Sequence, residues 1–245
     1  MILSSGYVVF IGLALSTGLW VYFILRKDRI EREPLITVLR VGAVGGIASA
    51  FCAGLLNLVF VMVTGIRFQP PLEWSNALSM SIFIGLNEEW WKMIATVWLV
   101  SKLHEFNEPV DGVIYGMAVS LGFAAVEIIG YIEKYGLGVL IPRTVMSIPE
   151  HLGCGAVWGA GLAVARFGAL KRKLPVVLLP YFLAAAAVHV LYDFVLFSSF
   201  PMKAGVAVFM VIALWVFVSK RIENLLAQSP FLTIGRCTKG GIWEE

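Results

Sequence analysis

The chain has 245 residues, 59% of them hydrophobic and 14% charged, with a mean hydropathy of +0.86. A water-soluble domain carries about 25% charged residues, so the composition excludes a soluble globular protein and indicates one that spans a lipid bilayer. The net charge of +3 gives no reason to expect nucleic acid as a partner, and the length suits one helical bundle rather than several domains.

Segments long enough to cross a bilayer, about 20 apolar residues each, occur seven times. The first, 6–25, follows MILSSGYVVF, which lacks a basic leader and a small-residue cleavage site and reads as a retained helix. The second, 36–64, is longer than a span needs, which predicts tilt, a break or an interfacial stretch. The third, 77–101, contains GLNEEWWKM, and the fourth, 110–132, contains SLGFAAVEIIGYI. The fifth, 139–166, is also long, and Pro142 and Pro149 predict a kink in it. Behind them, Gly153, Gly155, Gly159 and Gly161 permit close helix approach. The sixth, 175–198, carries AAVHVLYDFVLF, and the seventh is 204–220. The tail from Glu223 is polar enough to lie in water. Cys52, Cys154 and Cys237 form no CxxC pair and read as small packing residues.

Lysine and arginine set the orientation. RKDRIERE (26–33) holds four and ARFGALKRK (165–173) four more, with Lys102, Lys220, Arg221, Arg236 and Lys239 on the same side. The other side has Arg67, Lys134, Lys203 and Arg143. The positive-inside rule places the N-terminus outside and the C-terminus in the cytoplasm, as an odd number of spans requires. The expected fold is therefore all-α: a bundle of about seven transmembrane helices over 1–222, followed by a short cytoplasmic tail, 223–245.

Few ionisable residues remain at membrane depth: Arg40, Glu88, Glu89, Lys92, Glu127, Glu150, His151, His189 and Asp193. Each charge costs about 2.5–3.5 kcal/mol at a helix centre, so these groups must converge on a protein interior or a wet cavity. Glu88 and Lys92 are four apart and share a helical face; Glu89 and Lys92, three apart, nearly do. Glu88 and Glu89 differ by about 100° around the axis. One division pairs Lys92 with Glu88 and turns Glu89 toward a reacting centre, and the reverse is almost equally compatible. His189 and Asp193, four apart, stack on one face and can grip one metal ion or one water, or Asp193 can orient the imidazole. His151 follows Pro149, which can free backbone carbonyls beside it. Glu127 has no partner on its own helix and needs one from another. His104 and the Trp90–Trp91 pair read as solvated and packing residues respectively. Carboxylates and imidazoles on separate helices can bind zinc or deprotonate a water that attacks a carbonyl. No GxSxG is present to support serine chemistry.

Four stretches then resemble one family in its motif order. Glu88-Glu89-Trp90-Trp91-Lys92 resembles the EExxK signature of the PrsW-type intramembrane proteases, relatives of the CAAX prenyl proteases. Asp111-Gly112, Tyr115-Gly116 and Gly122 to Glu127 resemble its DGxxYG…GFxxxEN segment. Arg143 with His151 resembles its R…H helix, and His189 to Phe194 its final HxxxD/N helix. The likeness covers about 80–197, so the motif-bearing core is about 77–198. Ile128 departs from it, standing where the family usually has asparagine.

The resemblance implies hydrolysis of a peptide bond in a membrane-embedded or membrane-anchored protein substrate, by a protein integral to a prokaryotic plasma membrane. Glu89 or Glu88 would activate water. Glu127, His151 and His189 would position it or ligate a metal, for which ligand chemistry favours zinc. Asp193 would orient His189 or, if protonated, assist the developing oxyanion, while Lys92 and Arg143 would hold the carboxylates. Estimated depths along the helices predict a cavity opening outward. Two other readings use the same residues: a catalytically inactive scaffold of the same fold, mildly favoured by Ile128, and a proton-coupled transporter relaying protons through buried Glu, His and Asp.

Overall fold

The computed structural model describes residues 2–168 and 173–232, with side chains from Gly6 onward. Lys171, Arg172, Arg236, Lys239 and Cys237, used above for orientation and cysteine pairing, lie outside the described residues, as does the tail from 233.

Seven long helices make up the described chain: α1 (Ile2–Lys27), α2 (Leu35–Thr64), α3 (Trp74–Val100), α4 (Asp111–Tyr135), α6 (Ile148–Phe167), α7 (Leu174–Phe197) and α8 (Lys203–Leu226). The single turn α5 (Leu140–Pro142) stands between α4 and α6. The seven apolar segments read from the sequence thus correspond to seven helices. α2 is one unbroken rod of 30 residues, about 45 Å long at 1.5 Å per residue. It stops at Gly65, whose φ of 71° only glycine adopts freely and whose N–H caps Val61 O at 2.9 Å.

The fifth segment is broken, as its prolines predict. A 3-10 turn (Leu137–Val139), α5 and one π-helical turn (Arg143–Ser147) precede α6. Pro142 and Pro149 each lack the N–H that a regular helix needs. The wider turn between them carries Arg143, and α6 begins just ahead of His151.

Five helices, α1, α2, α4, α7 and α8, are long and apolar enough by themselves to cross a membrane. α3 and α6 fall short because they hold Glu88, Glu89 and Lys92, and Glu150, His151 and Arg166. Glu88, Glu89, Lys92, Glu150 and His151 face inward, while Arg166 is exposed at the end of α6 with its guanidinium 4.6 Å over the Phe106 ring.

α4 is the most enclosed of the long apolar helices. On one side it meets α2, where a Cβ on Gly122 would come 2.0 Å from Gly42 O. On another it meets α6, where a Cβ on Gly155 would come 2.6 Å from Gly116 O. The expected close approach holds for Gly155 and Gly159, which lie against the α4 backbone, while Gly153 and Gly161 make room for the Leu214 and Tyr181 side chains. α1, α2 and α8 turn large apolar side chains outward, among them Phe10, Phe51, Val63 and Phe209, as helices bordering lipid do. Arg40 also faces outward from α2 and does not join the interior polar groups. His104 is exposed, as expected.

Candidate active site

α3 turns Glu88, Glu89 and Lys92 inward, and all three are buried. Glu89 has no exposed surface and is fully engaged. Its Oε1 accepts from the Lys92 ammonium and from His189 Nδ1 at 2.8 Å, and its Oε2 accepts from Trp158 Nε1 at 2.9 Å. Lys92 therefore pairs with Glu89, the reverse of the first division drawn from spacing. Glu88, about 100° further round the helix, is the freer carboxylate. Its Oε1 accepts from Asn57 Nδ2 at 3.2 Å, while Oε2 is buried with no hydrogen-bond partner.

Two imidazoles face that oxygen's surroundings. His189 donates through Nδ1 to Glu89, which leaves Nε2 toward Glu88 Oε2 at 3.7 Å and Asp193 Oδ2 at 3.5 Å. Glu89, not Asp193, orients this ring, and Asp193 lies on its open side. The His151 and His189 rings are 5.1 Å apart, centroid to centroid. The Lys92 ammonium, which has no lone pair, donates to His151 Nδ1 at 3.1 Å. The proton of the neutral ring then sits on Nε2 and is donated to Glu127 Oε2 at 2.9 Å. Glu127 also pairs with Arg143, whose guanidinium lies 3.6 Å over the Tyr131 ring. Glu150 completes the cluster: Oε2 is 3.4 Å from His151 Nδ1 and Oε1 accepts from Cys154 Sγ at 3.0 Å.

Two cavities meet at these groups. One, of about 410 Å³, lies among α2, α3, α4 and the end of α7, has mostly apolar walls and reaches Glu88. The other, of about 390 Å³, lies beside the π-turn and reaches His151 and His189. Glu127, Asp193, Tyr131 and Phe197 border both. Phe68 and Tyr135 carry the walls toward the end of the bundle that bears the 65–73 and 136–139 loops, opposite the 28–34 loop.

Among the described residues, Glu88, His151 and His189 bring ligand atoms within 4.8 Å of one another. Two imidazoles and one carboxylate are a usual complement for catalytic zinc, with a fourth position left for water. The partnerless buried Glu88 Oε2 is the atom such an ion would satisfy, so this donor set fits a divalent metal. Ligation through His151 Nε2 would require its proton on Nδ1, facing Glu150, in place of the Lys92 bond. Glu127, expected in this set, is instead engaged with Arg143 and His151, and Glu88 stands in its place.

Every residue singled out from the sequence for the site meets in this cluster. Asn57, Asn87 and Trp158 were missed. Asn87 Nδ2 donates to Ala53 O at 2.9 Å and to Asn57 Oδ1 at 2.8 Å, which turns the Asn57 amide N–H toward Glu88. A search confined to ionisable groups passes over such amides, although an asparagine inside GLLNLVF or IGLNEEWW is itself costly in hydrocarbon. Ile128 is fully buried in the apolar core and contributes no polar group.

Comparison with known proteins identifies the family. The family model described as PrsW family intramembrane metalloprotease matches residues 33–219. Protease PrsW of Clostridioides difficile (strain 630) is 28% identical over 223 residues, 89% of this chain and 91% of the relative. Protease PrsW of Geobacillus kaustophilus (strain HTA426) is 30% identical over 217 residues, 87% and 89%. Protease PrsW of Bacillus subtilis (strain 168) is 32% identical over 191 residues, 76% and 80%. No solved structure matches. The match extends well beyond the 80–197 stretch that carries the motifs, to α2 and α8, and the chain belongs to the PrsW family of intramembrane metalloproteases.

Proposed function

We propose that this integral membrane peptidase hydrolyses a peptide bond of a membrane-embedded or membrane-anchored protein, with water activated at Glu88 between His151 and His189. The observation that carries this reading is the buried, partnerless Glu88 Oε2 facing two histidines where two cavities meet.

In this reading the scissile carbonyl enters the space shared by the cavities. Glu88 accepts the proton of the attacking water, with Asn57 fixing its other oxygen. Asp193 and His189 Nε2 border the same water. Arg143 Nε, buried without a partner, offers a donor to the oxygen as negative charge develops. Glu89, Lys92 and Trp158 touch no substrate; they hold His189 and His151 in place. A divalent ion held by Glu88, His151 and His189, best suited to zinc, would supply a more acidic water and polarise the carbonyl. With Glu88 engaged as a ligand, Glu127 is the second carboxylate in reach to take a proton.

The basic 26–33 loop and the cavity-lining 65–73 loop are at opposite ends of the bundle. This supports seven crossings with the N-terminus outside, the C-terminus in the cytoplasm and cavities opening toward the outer face. A single bundle with its catalytic core at about 77–198 goes with that arrangement; its last helix runs to Leu226, with Leu225 and Leu226 in the apolar core, so the cytoplasmic tail expected from 223 starts after them.

The test is terminal proteomics of membranes from a bacterial host expressing the full chain. Wild type should generate new protein N-termini that are absent with Glu88→Gln and His189→Ala at matched expression. No wild-type-dependent N-terminus, or the same termini with both variants, contradicts the proposal.

A further inference from the structure

A second group of buried acids lies at the other end of the bundle. Asp28 and Glu33 come from the segment joining α1 to α2, Glu108 from the segment joining α3 to α4, and Asp111 opens α4; each is at most 3% exposed. Their hydrogen bonds stay within the group: Glu33 N–H donates to Asp28 Oδ2, Tyr115 OH to Glu33 Oε2, and Asn107 and Glu108 N–H to Asp111 Oδ2 at 2.9 and 2.7 Å. The remaining oxygens, Asp28 Oδ1, Glu33 Oε1, Asp111 Oδ1 and both of Glu108, are buried and, among the described residues, lack a partner in hydrogen-bonding geometry. The Ser229 hydroxyl and Glu31 backbone face Glu108 more loosely. No Lys, Arg or His nitrogen lies within 4.0 Å of these carboxyls among the described residues.

Buried carboxylates without cations are costly. With no such cation beside them among the described residues, a bound ion or protons would offset that cost. Among the described residues only Glu88, His151 and His189 bring three ligand atoms within 4.8 Å, so these acids do not close around one metal ion. We propose that Asp28, Glu33, Glu108 and Asp111 form a proton-binding latch that fastens the 28–34 and 101–110 segments to the foot of α4 and opens when its protons leave. Burial pushes Asp28 up to about 6, Glu108 and Glu31 adding to the rise while the Glu33 N–H and Arg32 oppose it. Burial likewise pushes Glu33 up to about 7, with Asp28, Glu31 and Glu105 adding and the Tyr115 hydroxyl opposing. Glu108 is raised by burial and Glu31. Glu33 and Glu108 also face Asp111.

The latch has a lever attached. α2 starts two residues after Glu33 and α4 starts at Asp111. The two helices cross in backbone contact where Gly42 and Gly46 meet Gly122, and beyond the crossing they diverge around the apolar cavity at Gly54, Asn57, Val126 and Glu127. Release at the foot lets the pair pivot at the crossing and changes the width of the cavity. That coupling rests on the peptidase reading; the proton-binding centre does not.

Hydrogen–deuterium exchange on the wild-type chain in nanodiscs, corrected for intrinsic pH dependence, tests both parts. Protection of peptides covering 28–34 and 101–110 should fall together between pH 6 and 8, about tenfold or more, with a smaller fall at 54–58 and 126–131. Asp28→Asn/Glu33→Gln, or Glu108→Gln if the pair does not fold, should flatten the change. Raised carboxyl values stabilise the fold fully below about pH 4 and lose that contribution as pH rises through about 6 and 7. The melting temperature should therefore drop by roughly 5 °C over that window in wild type and less in the variants. Unchanged protection at 28–34 and 101–110, or protection restored at pH 8 by millimolar Mg2+ or Ca2+, overturns the proton latch. A latch that opens with no change at 54–58 and 126–131 overturns the coupling alone.

Discussion

Trp158 on α6 donates its indole N–H to Glu89 Oε2 at 2.9 Å, across the bundle from α3. With Lys92 and His189 already on Oε1, this bond commits the second oxygen of Glu89 as well. Two adjacent glutamates are thereby given different work: Glu89 anchors the site and Glu88 faces the cavity.

Glu89→Gln should be far more destabilising than Glu88→Gln. It strands the Lys92 ammonium in a place with no exposed surface, and breaking a buried ion pair costs about 3–5 kcal/mol. Glu88→Gln should cost under about 1 kcal/mol, because Glu88 has no ion-paired cation within reach of a hydrogen bond. Thermal unfolding in detergent compares them, and Glu89→Gln/Lys92→Met should recover part of the loss. Equal destabilisation by the two single changes would count against the division.

Asn57→Ala should lower kcat/KM for peptide-bond cleavage about tenfold, the value of one hydrogen bond to a charged group. Its effect on folding should be small. Asn57→Asp should be worse, since it sets a second carboxylate against Glu88. Full activity in Asn57→Asp would remove Asn57 from the positioning of Glu88.

Metal analysis of the purified protein separates the two candidate ligand sets. About one divalent ion per chain should be present in wild type and Glu127→Gln, and lost in Glu88→Ala and His189→Ala. Retention in Glu88→Ala with loss in Glu127→Gln would restore the ligand set expected from the sequence.

Gly122→Ala should destabilise the bundle by about 1–3 kcal/mol or more, because the new methyl would come 2.0 Å from Gly42 O. Gly130→Ala, on the same helix with nothing within 4 Å, should be neutral or slightly stabilising. Denaturant titration of the pair checks that the α2–α4 crossing is in direct backbone contact.

Much of this arrangement was legible because charge is expensive in a membrane. Glu88, Glu89, Lys92, Glu127, His151, His189 and Asp193 stood out against apolar helices, and cost alone required them to converge. Pro142 and Pro149 likewise announced the break before α6. Which glutamate Lys92 would hold was not legible, since both lie within one helical turn of it and the choice is made by His189 and Trp158 on other helices. Asn57 escaped because it carries no charge and lies in α2, outside the motif-bearing stretch. Arg40 was read as interior but points outward from α2, where a long side chain can reach the bilayer surface. The acid cluster at the foot of α4 was hidden because Asp28, Glu33 and Glu108 sit in polar loops, where carboxylates are ordinarily solvated.

The most direct test is cleavage by purified protein co-reconstituted in liposomes with host membrane proteins, scored by new N-termini for wild type and Glu88→Gln of equal melting temperature. Cleavage by wild type, lowered at least about 100-fold in Glu88→Gln, is the expected result. Undiminished cleavage by a folded Glu88→Gln protein would contradict the assignment of Glu88 as the carboxylate that activates water.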